Sequence, residues 1–256
     1  MKLIDGFVFY NELGLLKYRL DTLYEIVDNF ILVESTKTFS GNSKELFYEK
    51  NKHLYEKYQD KIIHIIVDDM PTTNNAWDRE AHQRSCISRG FQNLQDKDLI
   101  LISDVDEIPN PELLNKLKTT GLNSLHSLRQ DMYYYNLNMF MDPNWTKTKC
   151  FPFSFYKTTS NNVDKIRYMN APILNNGGWH LSYFGDSKFI SNKIKNFSHQ
   201  EYNSDQYTNE ENISMRVNSG KDLFGRSINF QHISIDQNKN LPFNYMFLLD
   251  CLKTNA

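Results

Sequence analysis

Residues Asp98–Pro109 read DLILISDVDEIP, an apolar run that ends abruptly in acidic side chains. The run Leu99–Ser103 predicts a buried strand covered on both faces, because its apolar residues are bounded by charge. Asp104, Asp106 and Glu107 follow it, at the sheet edge where open α/β folds bind ligands. Aspartates at i and i+2 on an extended backbone point to one side and repel each other. A divalent cation offsets that repulsion and also binds phosphates, so we hypothesise that Asp104 and Asp106 hold Mg²⁺ or Mn²⁺ with a nucleotide diphosphate.

Two plainer interpretations compete with a metal site. The acids could cap the next helix, but Asn110 is already a good N-cap and Pro111 suits the first helical position. An EF-hand loop needs a third oxygen ligand followed by glycine, whereas Ile108 and Pro109 stand there. We therefore reject the EF-hand, and the helix cap leaves the upstream acids unexplained.

Composition indicates a globular protein of 256 residues, 40% hydrophobic and 23% charged. A net charge of -2 gives no support for non-specific nucleic-acid binding. Cys86, Cys150 and Cys251 are odd in number and far apart, which argues for a cytoplasmic or other reducing compartment. Because we find no apolar run of membrane-span length and no signal peptide, we expect a soluble chain without a membrane anchor.

The first half alternates predicted strands with predicted helices. Such alternation predicts an α/β fold, a three-layer sandwich with parallel strand pairing. Strands that end in Glu34, Asp68 and Asp104 would share one sheet edge, where a nucleotide would lie. The predicted strands cover 3–9, 30–33, 61–67 and 99–103, and the predicted helices cover 12–27, 44–59 and 77–94.

The second half is richer in aromatic residues, and Gly177 and Gly178 predict a flexible turn in it. Without a linker rich in Pro, Gly or Ser, the simplest prediction is one domain over residues 1–256. Its nucleotide-binding half covers about 1–110 and its acceptor half about 111–256. The predicted β segments of the second half cover 127–140 and 151–157, and its predicted helices cover 187–199 and 208–219.

Several short stretches, running in order over most of the chain, resemble one known family. They are DGFVFYNEL at 5–13, VES at 33–35, TFSG at 38–41, REAHQR at 79–84, DLILISDVDEIP at 98–109, MYYYNL at 132–137, GGWHLS at 177–182 and FSHQEY at 197–202. The pattern is similar to GT-A type glycosyltransferases, and more closely to the β-1,4-mannosyl-glycoprotein β-1,4-N-acetylglucosaminyltransferases, which add the bisecting GlcNAc to N-glycans. The resemblance implies a GT-A (Rossmann-like) fold, a UDP-sugar donor, Mn²⁺ or Mg²⁺, and inversion at the anomeric carbon.

The resemblance and the spacing together suggest the metal ligands. We predict Asp106 as the direct ligand, with Asp104 binding the metal through water or touching the ribose. Glu107 would orient this pair, or be a salt-bridged structural acid. His180 is the next candidate for the metal or diphosphate, since the glycines before it allow close backbone approach, and His199 is the alternative.

Arg84, Glu34 and Trp179 are the candidates for donor binding. The planar fork of Arg84 suits phosphate oxygens, although Glu80 at i−4 could hold it in an ordinary ion pair. Glu34 could accept hydrogen bonds from uracil or ribose, or be an acid solvated at a strand end. Trp179 could stack on a sugar face, or belong to the core.

The resemblance also implies an aspartate or glutamate that takes the proton from the acceptor hydroxyl. Glu201 lies in the family-like HQEY stretch, and Asp131 precedes the MYYY run. Asp186 precedes a predicted helix, so an N-cap is its alternative role.

The resemblance implies an inverting, metal-dependent transferase that moves GlcNAc from a UDP-sugar to an oligosaccharide or other glycan acceptor. The same scaffold could instead use UDP-Gal or UDP-Glc on a capsule or viral glycan, because the DVD sequence does not select the sugar. A non-catalytic glycan-binding module is the alternative from another class. The intact DVDE sequence at 104–107 argues against it, since a binding module needs no metal–diphosphate site.

Overall fold

The computed structural model describes residues 1–159, 161–228 and 230–253, and within these ranges a ten-stranded mixed sheet runs through the molecule. The strands are β1 Leu3–Phe9, β2 Asn29–Ser35, β3 Ile62–Val67, β4 Leu99–Asp104, β5 Glu107–Pro109, β6 His126–Tyr134, β7 Met139–Trp145, β8 Lys149–Pro152, β9 Ile173–Ser182 and β10 Gln231–His232.

Ten α-helices and three short 3₁₀ segments complete the described structure. None of the helices in the described ranges is long and apolar enough to cross a bilayer. The helices are α1 Leu13–Leu23, α2 Phe47–Asn51, α3 Ala76–Ser85, α4 Pro111–Thr120, α5 Phe153–Thr158, α6 Val163–Tyr168, α7 Ser187–Asn196, α8 Asp205–Thr208, α9 Glu210–Asn218 and α10 Tyr245–Lys253, and the 3₁₀ segments are Lys52–Tyr58, Cys86–Gly90 and Gln200–Tyr202.

The centre of the sheet is parallel, in the order β3-β2-β1-β4. Successive residues of β4 face opposite layers, as the pleat of a strand requires. Leu99 and Leu101 pack into a buried cluster with residues of α1, while Ile100 and Ile102 pack with Ile87 on the other face. The predicted α/β three-layer sandwich with a mostly parallel central sheet is therefore confirmed.

The second half extends the same sheet on the far side of β4. Strand β8 pairs antiparallel with β4 and β6, and β6 pairs with β7 and β9. Strand β9 also pairs antiparallel with the short strand β5, which places Glu107 opposite His180. This pairing brings the acidic stretch of the first half against a strand of the second half.

Three predictions for the second half are wrong. The segment 127–140 is not one strand but two, because the chain reverses after β6 at Tyr135, whose φ is +69°. The segment 151–157 is mostly α5, because the Phe153 amide donates to the loop carbonyl of Asp98 and the Ser154 amide to that of Asp96, so neither continues a strand. Gly177 and Gly178 do not form a flexible turn but lie inside β9.

Gly178 lets β5 and β9 approach each other. Its φ is +124°, a backbone conformation that residues with a side chain rarely adopt. A Cβ at this position would lie 2.0 Å from the carbonyl oxygen of Ile108. Pro109 pairs with Gly178 in the ladder, so this residue is glycine for a steric reason.

We predict that Gly178→Ala lowers the free energy of unfolding by about 3 kcal/mol or more, because the added methyl group forces β5 away from β9. Gly225→Ala is the matched control: its φ is +73°, but the nearest atom to an added Cβ is 3.8 Å away. The free energy of unfolding of the control should fall by only about 1 kcal/mol, the cost of the backbone conformation alone. Urea denaturation measures both, and equal losses would contradict the steric explanation.

Candidate active site

A cavity of about 390 Å³ lies where β1 and β4 end, a size typical of small-molecule sites. Its walls come from both halves of the chain: the loop after β2 and helix α3 from the first, β9, α7 and residues 197–199 from the second. Asp104, Asp106, Arg84 and His180, all named from the sequence, line it together with His199.

Asp104 is held between two buried arginines. One carboxylate oxygen lies 3.2 Å from Nη2 of Arg84 and the other lies 2.7 Å from Nη2 of Arg167. The arginine side chains are only 2–3% exposed, whereas the Asp104 side chain is 31% exposed to the cavity. Both of its oxygens therefore pair with arginines, and both arginines line the cavity.

Glu107 is fully buried, and each of its oxygens accepts several hydrogen bonds. Arg167 donates to both oxygens, at 2.8 and 2.7 Å, in a two-pronged ion pair. Trp145 Nε1, Thr148 Oγ1 and the Asp104 amide donate at 2.6, 2.9 and 3.1 Å. Burial raises the pKa of Glu107, but Arg167 outweighs burial and holds that pKa at about 2. The contacts agree with the predicted orienting role and with its structural alternative.

Asp106 faces the other side of the turn. Its Oδ2 accepts a 2.8 Å hydrogen bond from Lys193, which also lies 3.4 Å from Glu12, and its Oδ1 lies 3.7 Å from Nε2 of His180. The Trp145 ring lies against His180, with centroids 4.3 Å apart. Burial raises the pKa of Asp106, but Lys193 and His180 outweigh it and leave the pKa below its ordinary value.

The Asp106–His180 pair fits a divalent cation. A cation binds carboxylate oxygen and imidazole nitrogen at about 2.0–2.2 Å, so one ion can bridge atoms less than about 4.2 Å apart. The 3.7 Å between Oδ1 and Nε2 meets this limit, and both residues line the cavity. A separate cluster, Asp69, His82 and Cys86, also brings ligand atoms within 4.8 Å of one another. It lies outside the cavity, and Arg89 already pairs with Asp69 at 2.6 Å.

Arg84 links Asp104 to the part of the cavity wall that contains Glu80 and Ser198. The ion pair with Glu80 that its spacing suggested is present, but it is buried in the cavity wall rather than on a solvated surface. Arg84 also donates to Asp164 at 2.6 Å, and Ser198 hydrogen-bonds to Glu80.

Two candidates for donor binding lie away from the cavity. Glu34 is fully buried and accepts a 3.1 Å hydrogen bond from the Tyr48 amide, with Lys44 at 3.7 Å and His64 at 3.3 Å. Its solvated-acid alternative is wrong, because these side chains and the sheet enclose Glu34, which is fully buried. Trp179 packs in the core and donates to the carbonyl of Asn240 at 2.8 Å, so the structure agrees with its core alternative.

The three carboxylates proposed as a general base also lie outside the cavity wall. Asp186 caps α7 by accepting from the Phe189 amide at 2.7 Å, which is its alternative role. Asp131 lies on β6, where burial raises its pKa. Glu201 is exposed, but its Oε1 lies 2.6 Å from Nδ1 of His199, which does line the cavity.

Sequence reasoning did not identify Arg167, Lys193 or Glu12. Arg167 and Lys193 lie 63 and 87 residues along the chain from their partners Asp104 and Asp106. Neither stands in a recognisable motif, so only the fold shows that they belong to the site. For Lys193, the one local signal is its place inside a predicted helix, 187–199, which in the structure ends at Asn196.

The pKa of Glu107 predicts how stability depends on pH. A carboxylate whose pKa falls from 4.5 to about 2 on folding stabilises the protein above pH 4.5, and this contribution is lost as the pH falls toward 2. We expect Glu107→Gln to cost about 3 kcal/mol at pH 7 and to flatten the loss of stability below pH 4.5.

Urea denaturation between pH 7 and pH 3 measures both effects. The exposed residue Glu56 provides a control, Glu56→Gln, which should follow the wild-type curve. A Glu107→Gln curve parallel to the wild type would show that this carboxylate is not held in its charged form by Arg167.

Comparison with known proteins identifies the family. Residues 1–233 match the family model described as Glycosyltransferase family 17. The rat and human proteins named beta-1,4-mannosyl-glycoprotein 4-beta-N-acetylglucosaminyltransferase are each 25% identical to this chain, over 42% of the chain and 22% of their own length. The chain thus spans less than a quarter of the curated relatives it matches.

Two solved structures are similar at low identity. Mannosyltransferase PcManGT from Pyrobaculum calidifontis, in complex with GDP-Man and Mn²⁺, is 13% identical, with a TM-score of 0.46 over 76% of this chain and 60% of its own. Galactosyltransferase LgtC, with donor and acceptor sugar analogs, is 10% identical, with a TM-score of 0.39 over 99% of this chain and 96% of its own. TM-scores this low carry no inference about activity, whereas the family model covers most of the chain. The chain belongs to glycosyltransferase family 17, a family of enzymes that transfer sugars.

Proposed function

We propose that this protein is a metal-dependent, inverting glycosyltransferase that moves GlcNAc from UDP-GlcNAc to an oligosaccharide acceptor. One observation carries the proposal: the Asp106–His180 pair lines the same cavity as Arg84, Arg167 and Lys193. A carboxylate–imidazole pair beside three cations suits an activated sugar whose leaving group is a diphosphate. The names of the curated relatives support GlcNAc as the sugar.

The arginines would bind the diphosphate. Arg84 and Arg167 present planar guanidinium groups that match phosphate oxygens, and Asp104 fixes both of them in place. Since their charges are positioned before the reaction, they stabilise the negative charge that develops as the bond to the sugar breaks. We therefore assign Asp104 to positioning these arginines rather than to direct metal binding.

Asp106 and His180 would hold the divalent cation, Mn²⁺ or Mg²⁺. When bound, the cation acts as a Lewis acid on the diphosphate oxygens. Lys193 keeps Oδ2 of Asp106 occupied at 2.8 Å and leaves Oδ1 turned toward His180. Glu107, through Arg167 and the Asp104 amide, keeps the turn between these residues in place.

His199 and Glu201 would activate the acceptor. Because Glu201 lies 2.6 Å from Nδ1, it favours the imidazole tautomer whose Nε2 is free to accept a proton. Trp77, 42% exposed in the cavity wall, lies edge-to-face with His199 at 4.5 Å and offers a face for the acceptor sugar. The acceptor hydroxyl would lose its proton to Nε2 as its oxygen bonds to the anomeric carbon and the diphosphate leaves.

The first test measures UDP release from a panel of UDP-sugars with an oligosaccharide acceptor, with Mn²⁺, Mg²⁺ or EDTA. We expect turnover with UDP-GlcNAc and Mn²⁺, and about a 100-fold loss of kcat in Asp106→Asn. Asp96→Asn is the matched control, since exposed Asp96 precedes the other end of β4.

If UDP-Gal or UDP-Glc is turned over faster than UDP-GlcNAc, the proposed donor changes but the proposed mechanism does not. Calorimetry of UDP with and without Mn²⁺ separates an enzyme from a glycan-binding module. Absence of metal-dependent UDP binding would overturn the proposal.

The second test concerns the base. We predict that His199→Asn lowers kcat by about 100-fold and removes the acid limb of the pH profile of kcat/KM, which reports a base that must be unprotonated. Glu201→Gln should lower kcat by a smaller factor than His199→Asn. His82→Asn is the control, because His82 also pairs with a carboxylate, Asp69, but lies outside the cavity. An unchanged acid limb in His199→Asn would exclude His199 as the base.

A further inference from the structure

Arg19 lies in the middle of α1, fully buried beneath the turn that carries the active-site acids. Its Nε and Nη2 bind the two oxygens of Asp5 at 2.8 and 2.6 Å, and Nη2 also donates to Ser103 Oγ at 2.6 Å. Its Nη1 donates to the backbone carbonyls of Asp104, Val105 and Glu107 at 3.1, 3.3 and 2.7 Å. The three nitrogens of this guanidinium group thus all act as hydrogen-bond donors.

The carbonyls of this turn cannot all be satisfied by strand pairing. Residues 105 and 106 lie between β4 and β5, and a buried carbonyl without a donor is costly. Arg19 supplies donors to three of the four carbonyls from Asp104 to Glu107, and the amide of Leu181 in β9 supplies the fourth, to Asp106 at 2.8 Å. The path of the backbone through the turn is therefore fixed from both sides.

Asp5 explains why a charged side chain can lie there. Asp5 is fully buried on β1, beside β4, and its two oxygens hold the guanidinium group in one orientation. A lysine ammonium could not replace the guanidinium group, because it is a point charge with three donors, whereas the three nitrogens of Arg19 donate to six acceptor atoms.

We infer that the buried Arg19–Asp5 pair is a positioning device for the active site, which directs the Asp106 carboxylate toward His180. The inference rests on the proposed function. In it, Arg19 contacts the turn that carries the acids and does not contact the substrate. Loss of the guanidinium fork should then weaken binding of the metal–diphosphate unit in molecules that remain folded.

The experiment compares Arg19→Lys with Leu20→Ala, a buried residue on the same helix that packs in the core rather than against the turn. Calorimetry with MnCl₂ and UDP as probes should show at least a tenfold loss of affinity in Arg19→Lys and less than a twofold loss in Leu20→Ala. Circular dichroism confirms that both variants are folded at the assay temperature. Wild-type affinity in Arg19→Lys would show that the pair is structural only.

A second measurement does not need the ligand. Amide exchange at Leu181, compared with that at Ile31 in β2, should be about tenfold faster in Arg19→Lys and unchanged in Leu20→Ala. If the wild type fails to bind UDP with Mn²⁺, the proposed function fails, while the exchange ratio still decides whether Arg19 fixes the turn. An unchanged ratio would overturn the inference.

Should Arg19→Lys not fold, Ser103→Ala removes one contact of the guanidinium group without leaving a buried charge unpaired. It should change affinity and exchange in the same direction by a smaller factor, and wild-type values for both would overturn the inference.

Discussion

Like charges at the end of one strand are the constraint on which this site depends. Asp104, Asp106 and Glu107 stand within four residues and are partly or fully buried, so each needs a compensating positive charge. Arg84 and Arg167 compensate on one side of the turn, and Lys193 compensates on the other. The acids therefore do not form one uniform patch. Arg84 and Arg167 form one group of cations and Lys193 the other, and both groups line the same cavity.

This division gives the neighbouring aspartates different chemistry. Both carboxylate oxygens of Asp104 pair with arginines, whereas one oxygen of Asp106 lies near the imidazole of His180. The first aspartate of the D-x-D sequence thus holds two arginines in place, and the second is a candidate metal ligand. The difference comes from the turn at residues 105–106, which ends the extended backbone and sends the two side chains to different partners.

Features that depend on neighbouring residues could be predicted from the sequence. Strand β4, the Asn110 cap and the parallel pairing follow from periodicity and capping rules, which act over a few residues. The partners of the acids could not be predicted, because Arg167 and Lys193 lie 63 and 87 residues along the chain from Asp104 and Asp106 and only the tertiary fold brings them together. Glu34 shows the same limit: a strand-end acid suggested an exposed ligand-binding group, yet Lys44 and His64 enclose it. The aromatic segment at 151–157 suggested a strand, although Pro152 marks where pairing ends.

The site is therefore a product of the contact between the two halves of the sheet. Strand β9 lies against β5 because Gly178 has no side chain, and that contact places His180 opposite Glu107. Leu181, the next residue of β9, donates its amide to the carbonyl of Asp106. A single strand thus supplies an imidazole to the carboxylate and a hydrogen bond to its backbone. Because both depend on one register, a shift of β9 by one residue would reverse the faces of its side chains and move the imidazole out of reach.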